Sequence, residues 1–366
     1  MVPVMSAQLS GVVNFVRRPL TMAGLGQGAP TPLGAVTVQL LDGATQMVRT
    51  ATVTDPMGRY SFDNIQVAPA EVVMVRVLAT RMDPTYQLTV RNLANNPYSV
   101  TTAAFALQPM ATRDITIDEP SNAGAYAIYD TLRRGLDFVR ANLPSAAPLL
   151  TVRWNRGQTP PGGTSYFVRR ENAIYLLGGP QDTDEFDEPV IFHEFGHFVE
   201  QNYSRTNSPG GQHDGSPTDP RLAWGEGYGT WFGCIANGNP LYLDSVLGGG
   251  IRVSRDLANL PLLRNNMGDP NQPLTQPVGE YLVGGSLWAI TAAGMDRSTQ
   301  IAKQLSVSLR YFTRAPQPDR AVMGVDFVDF LDGYLCLNNG ADRSVIEQYV
   351  VAQRRFPYDF AMVTCR

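Results

Sequence analysis

The hydrophobic period of this chain changes once, between residues 110 and 122, and that change limits what it can fold into. Before it, apolar and polar residues alternate. "AVTVQLLDG" ends in a turn, "TDPMGRYSFDNI" turns at Pro56 and Gly58 and then alternates through Tyr60 and Phe62, and "EVVMVRVLAT" and "YQLTVRNL" keep the period of two. Residues two apart share one face of a strand, so residues 8–112 are expected to form an antiparallel β-sandwich of short strands. After the change, "AYAIYDTLRRGLDFVRANL" places Ala125, Tyr129, Leu132, Leu136 and Val139 on one helix face, with Ser121 or Asn122 as the cap.

Two more stretches, "LLTVRWN" and "TSYFVRRENAIYLLGG", read as strands, the second as a hairpin turning near Arg170–Asn172. Beyond Asp184 the pattern is mainly helical, over 188–203, 218–237, 278–294, 298–313, 324–338 and 341–355. A length of 366 residues accommodates two domains. The expected division lies between Met110 and Asn122, with a mainly helical α+β domain over 118–366.

Composition removes several function classes. The net charge is −4, Lys303 is the sole lysine, and the arginines are scattered, which argues against nucleic acid and anionic membrane surfaces as partners. No apolar run approaches the roughly 20 residues that span a bilayer, so no transmembrane segment is expected. The opening "MVPVMSAQLSGVV" lacks the basic and apolar regions of a secretion signal; the protein is expected either to be cytoplasmic or to have a signal that this chain does not carry. Three cysteines are too few for a disulfide scaffold. Cys336 and Cys365 are a candidate pair, and Cys234, in an apolar segment, reads as a buried thiol.

The chain has three histidines, and two of them stand in "IFHEFGHFVEQ". His193 and His197 are four apart, so a helix presents both rings to one side, where they can share a metal ion. Glu194 sits beside that face. This H-E-x-x-H pattern supplies two zinc ligands and a carboxylate that activates water. The acids of "DTDEFDEP" precede it, where a helix dipole favours negative charge; they lack the alternating ligands and glycine of a calcium loop, so helix capping is the expected role. A catalytic zinc needs a third protein ligand. The positions where one metalloprotease class has a glycine and then its third histidine hold Glu200 and Tyr203 here, which excludes that class. Glu200 is too far along the helix to share the ion and reads as solvated or as a support to the ligands. The other source is a glutamate on a second helix. "DPRLAWGEGYGTWFGCIANG" offers Glu226, the one acid after Asp219 in a glycine-dense apolar helix whose small residues allow close helix approach.

These residues carry two resemblances. "SGVVNF", "TPLGAVTVQLLDG" and "TATVTDPMGRYSFDNI" resemble the carboxypeptidase regulatory-like (transthyretin-like) domains of secreted enzymes, which implies a folding or attachment module. HEFGH followed by a helix with Glu-Gly resembles the gluzincin metallopeptidases, and "HEFGHFVEQNYSRTNSPGGQHDGSPTDPRLAWGEGYGTWF" resembles a group of bacterial secreted zincins. "GEYLVGGSLWAIT" is similar to the helix after the ligand glutamate in fungalysin-like enzymes. The resemblance implies zinc on His193, His197 and Glu226, Glu194 as general base, a peptide or protein substrate, and an extracytoplasmic location. It departs from the thermolysin pattern at Thr230, where that pattern has an aspartate that orients a ligand histidine.

His213, in the loop "SPGGQHDG", reads three ways: a group that stabilises a developing oxyanion, a fourth metal ligand, or an exposed side chain. Tyr281 is the rival donor and a better one than Tyr228, which points away from Glu226. The expected function is zinc-dependent peptide hydrolysis. Two alternatives stay open: an inactive zincin serving as a surface binding protein, and a structural zinc site closed by His213.

Overall fold

The computed structural model describes residues 5–361 except 69–70, 121, 144, 247, 295 and 315–318. The N-terminal part is rich in antiparallel sheet and the C-terminal part is helical. Two compact units form, Met1–Ile191 with Ser245–Arg252, and Phe192–Asp244 with Val253–Arg366. Among the described residues no helix is long and apolar enough to cross a membrane.

In the first unit the strand Met5–Arg17 is central to one sheet. It pairs antiparallel with Ala29–Pro32 and Arg59–Val67, and parallel with Met110–Thr112 and Ile115–Ile117. Its alternating Leu9, Val13 and Phe15 are fully buried, as the period of two requires. A second sheet joins Val72–Leu78 to Thr37–Asp42, which pairs in turn with Val48–Val53; Val38, Leu40, Val73, Val75 and Val77 form its buried face. The turn after Thr54 closes on Gly58, at φ 74°, where a Cβ would lie 2.4 Å from Val13 O.

The helix α1, Ala123–Asn142, belongs to this same unit. Tyr126 and Tyr129 are fully buried, and their hydroxyls donate to Val77 O at 2.8 Å and Ala35 O at 2.7 Å. Each buried aromatic of this kind contributes about 1.5–3 kcal/mol. Asn122, expected as a cap, instead takes a left-handed conformation with no side-chain cap bond, and Ser121 lies outside the described residues. A third sheet runs Tyr166–Val168, Ala173–Tyr175, Leu150–Arg153, Gln87–Arg91, Thr80–Met82. Its first two strands form the expected hairpin, turning through Asn172 at φ 51°. The parallel pairing of Gln87–Arg91 with Leu150–Arg153 ties residues on either side of the 110–122 change into one sheet, so the change of period is not where the compact units divide.

The acids before the motif helix act as ties within the first unit. Asp182 pairs with Arg252, Glu188 with Arg17 and Arg134, and Asp187 accepts from Ser245 N at 2.6 Å and Ser245 Oγ at 2.8 Å.

The second unit is built on helices. α2 spans Glu188–Tyr203 and crosses into it at Phe192; α3 is Pro220–Asn237, α4 Glu280–Ala292, α5 Arg297–Ser306 and α6 Phe327–Leu337. Asp219 caps α3 by accepting from Arg221 N, Pro220 opens it, and Gly238, left-handed at φ 69°, ends it. α5 and the last helical segment finish in π turns, and an unexpected two-stranded ribbon, Leu241–Ser245 with Ile251–Asp256, interrupts the helical run. Trp224, Tyr228, Phe232, Phe312 and Phe330 form an aromatic core. Cys234 is free and buried, as expected; the candidate Cys336–Cys365 pair involves Cys365, which lies outside the described residues.

Candidate metal centre

Two glycines set the distance between α2 and α3. A Cβ on Gly196 would lie 3.0 Å from Gly229 Cα, and a Cβ on Gly229 would lie 3.2 Å from Cε1 of both His193 and His197. The absent side chain at 229 lets the two imidazoles lie close against α3. Gly227 does the same toward α4, where a Cβ would meet Glu280 O at 2.6 Å. The helix gives up about 1 kcal/mol of propensity at each glycine and gains this close approach.

At this contact three donor atoms converge. His193 Nε2 and His197 Nε2 are 3.1 Å apart, and Glu226 Oε2 is 3.2 Å from the first and 3.3 Å from the second. Four-coordinate zinc with bonds of about 2.0–2.1 Å separates its ligand atoms by about 3.3–3.4 Å, the edge of the tetrahedron. The donor set, two imidazoles and a carboxylate, and its spacing therefore fit a small divalent cation. His193 Nδ1 lies 3.1 Å from Thr230 Oγ1, so the hydroxyl stands where an orienting partner belongs. Tyr242, from the unexpected ribbon, meets the His193 ring edge-on at 5.8 Å.

Electrostatics point the same way. Burial opposes charge on His197, but Glu226, Glu194 and Glu200 outweigh it and lift its pKa to about 9. Burial likewise opposes charge on Glu226, and the two histidines overcome it and hold its carboxyl well below the usual range. The pocket is thus arranged for an anionic glutamate beside positive charge, whether from protons or from a metal. Glu194 is buried at 7% exposure, and burial raises its pKa despite the neighbouring His193 and His197. Among the described residues no side chain hydrogen-bonds its carboxylate. An acid of raised pKa without a fixed partner is suited to exchanging protons.

His213 comes to the cluster from the loop. Its Nε2 lies 3.3 Å from Glu226 Oε2, and its Nδ1 lies 2.8 Å from Glu280 Oε2. The donor atoms of His193, His197 and Glu226 all lie within 4.8 Å of one another; among the described residues His213 is not part of that set. Tyr281 follows Glu280, but its ring packs against Gly215 and under Arg255, and burial pushes its pKa up to about 12. Tyr228 is buried among Trp224, Trp231 and Phe232. Glu200 is 2% exposed and accepts from Trp224 Nε1 at 2.8 Å, so it braces the two helices and is not solvated.

Glu280 and Tyr242 are not among the residues that the sequence motifs single out. Glu280 had a usable signal: like Glu226, it is the lone acid of an apolar, glycine-bearing helix.

No protein-family model matches the chain, and no curated protein sequence does. Among solved structures, a DUF3823 family protein from Parabacteroides merdae is similar over 31% of this chain and 45% of its own, with 19% identity and a TM-score of 0.17. The chain thus spans under half the length of that structure, and a likeness of this size decides neither fold nor function.

Proposed function

We propose that the chain is a zinc-dependent peptidase whose second unit is zincin-like. The observation that carries this reading is the convergence of His193 Nε2, His197 Nε2 and Glu226 Oε2 at 3.1–3.3 Å with the buried Glu194 next in sequence to a ligand. Bound there, zinc supplies Lewis acidity: it polarises a carbonyl and acidifies a water. Glu194 takes the proton of the attacking water and delivers it to the leaving amine. His213, held by Glu280, donates toward the oxygen on which negative charge develops. In this reading the chain acts outside the cytoplasm on a peptide or protein, and the β-rich region, compatible with a sandwich, serves attachment or folding.

The test separates chemistry from binding. Glu194→Ala is expected to keep its metal and to lose activity on the order of 10²–10⁴-fold. Wild type and variant are compared on a mixed peptide library by mass spectrometry, with and without chelator. Metal bound but no wild-type cleavage would favour the surface binding protein. Equal cleavage by both proteins would exclude Glu194 as the base.

A further inference from the structure

We propose that the cleft beside His213 binds a carboxylate, and that Arg255 is the residue that recognises it. The word substrate for that ligand rests on the peptidase reading; the binding itself does not. The cleft has a volume of about 440 Å³, room for a short stretch of peptide. Two of its walls are direct continuations of the metal centre. Asp214 follows His213, and Tyr281 follows Glu280, the carboxylate on His213 Nδ1. A chain segment positioned at His213 therefore has this cleft next to it.

Arg255 lies partly buried in the cleft wall. Its guanidinium is over the Tyr281 ring at 5.0 Å, and Nη1 donates to Ser254 O at 2.8 Å. The ring contact and the carbonyl bond hold the guanidinium in place, and that backbone acceptor uses one of its five N–H donors. Among the described residues Arg255 forms no ion pair. The two acids of the cleft are committed to their own turns. Asp214 Oδ1 accepts from Ser216 N at 2.9 Å, and Asp256 accepts from Ala258 N at 2.9 Å and Asn259 Nδ2 at 2.8 Å. The remaining wall includes Leu260 and Leu263, the latter exposed. A flat cation fork with unused donors, set beside aliphatic side chains, is complementary to a carboxylate on an apolar stem. A peptide offers that chemistry either as its C-terminal carboxylate or as an Asp or Glu side chain.

The test reads binding. Chelator-treated full-length protein is titrated calorimetrically with three peptides: acetyl-Leu-Gly-Leu as the free acid, its C-terminal amide, and acetyl-Leu-Gly-Glu-amide. At least one acid is expected to bind about tenfold more tightly than the neutral amide, with Arg255→Gln closing the gap and Arg255→Lys keeping part of it. The tighter acid identifies the source of the carboxylate. No gap in wild type overturns the proposal, and so does an equal loss for all three peptides in Arg255→Gln. The wild-type comparison stands even if the variants fail to fold. A chain that binds acids through Arg255 but cleaves no peptide refutes the peptidase reading alone. A chain that cleaves peptides with no carboxylate gap refutes this proposal alone.

Discussion

His213 bridges two carboxylates: Nδ1 stands 2.8 Å from Glu280 Oε2 and Nε2 stands 3.3 Å from Glu226 Oε2. Burial works against charge on this ring, but the Glu280 hydrogen bond and the Glu226 charge prevail and raise its pKa to about 9. Removing one anion must lower it. In chelator-treated protein the His213 ring protons are expected to titrate near the raised value by NMR, and at lower pH in Glu280→Gln. With three histidines in the chain, a His213→Asn spectrum identifies the resonance. An unchanged midpoint in Glu280→Gln would reduce the contact to an incidental one.

Metal content follows from the donor set. Purified protein is expected to hold about one zinc per chain. Glu226→Gln replaces an anionic ligand with a neutral amide and should weaken binding strongly. Thr230→Val removes the hydroxyl on His193 Nδ1 and should cost about 10–100-fold in affinity. Competition against a chromophoric chelator measures both. If Glu226→Gln binds as tightly as wild type, the third donor lies elsewhere, with His213 the first suspect.

The two glycines at the α2–α3 contact should respond differently to alanine. At Gly196 the new Cβ meets Gly229 Cα at 3.0 Å and O at 3.2 Å, which is backbone and cannot turn aside. Overpacking of about 1–3 kcal/mol then exceeds the helix-propensity gain of about 1 kcal/mol, so Gly196→Ala should lower the unfolding midpoint. At Gly229 the new Cβ meets imidazole atoms, Cε1 of His193 and His197 at 3.2 Å. Side chains can shift by a few tenths of an ångström, so Gly229→Ala should weaken metal affinity more than it weakens the fold. Thermal unfolding of the metal-free proteins and zinc competition separate the two outcomes.

Asp326 and Asp329 form a buried capping box at the start of α6. Burial raises Asp329 to about 8, with the Asp326 charge adding to it, and raises Asp326 to about 7. Both folded values lie above the ordinary 3.8, so the folded state holds extra protons between them. Stability from this pair is fully present at low pH and is lost as pH rises toward about 8, by up to about 1.4 kcal/mol per pH unit for each proton. Urea midpoints of wild type should therefore fall from about pH 5 to about pH 8, and those of Asp329→Asn should fall less. Parallel curves for the two proteins would mean that Asp329 holds no extra proton.

Some of this structure was legible in the chain and some was not, for physical reasons. α2 follows the expected 188–203 because its apolar residues leave no ambiguity of period. That His193, His197 and Glu226 come together was legible because a helix maps four residues onto one turn, and because an acid in an apolar helix needs a partner. Arg255 was not: it lies in the ribbon at 251–256, two short strands beside a glycine run within a helical stretch. Glu280 stands out as an acid, but its partner was hidden, because the contact with His213 is set by packing across 67 positions of chain. The compact units were hidden for the same reason. Local period reports secondary structure, while the pairing of Leu88 with Leu150 is non-local.

That pairing makes the 110–122 change a poor place to cut. A chain beginning at Asn122 keeps α1 but loses the carbonyls of Val77 and Ala35 that accept from Tyr126 and Tyr129. Both tyrosines are fully buried in the intact protein and would face water. The cut also removes Gln87–Arg91, leaving Leu150–Arg153 paired on one side only, a new edge that invites association. The 122–366 fragment is expected to be less soluble than the full chain and to lose protection in residues 123–175, read by hydrogen exchange or limited proteolysis. A fragment that stays monomeric with α1 as protected as in the full chain would show that α1 and its strands fold without the preceding sheets.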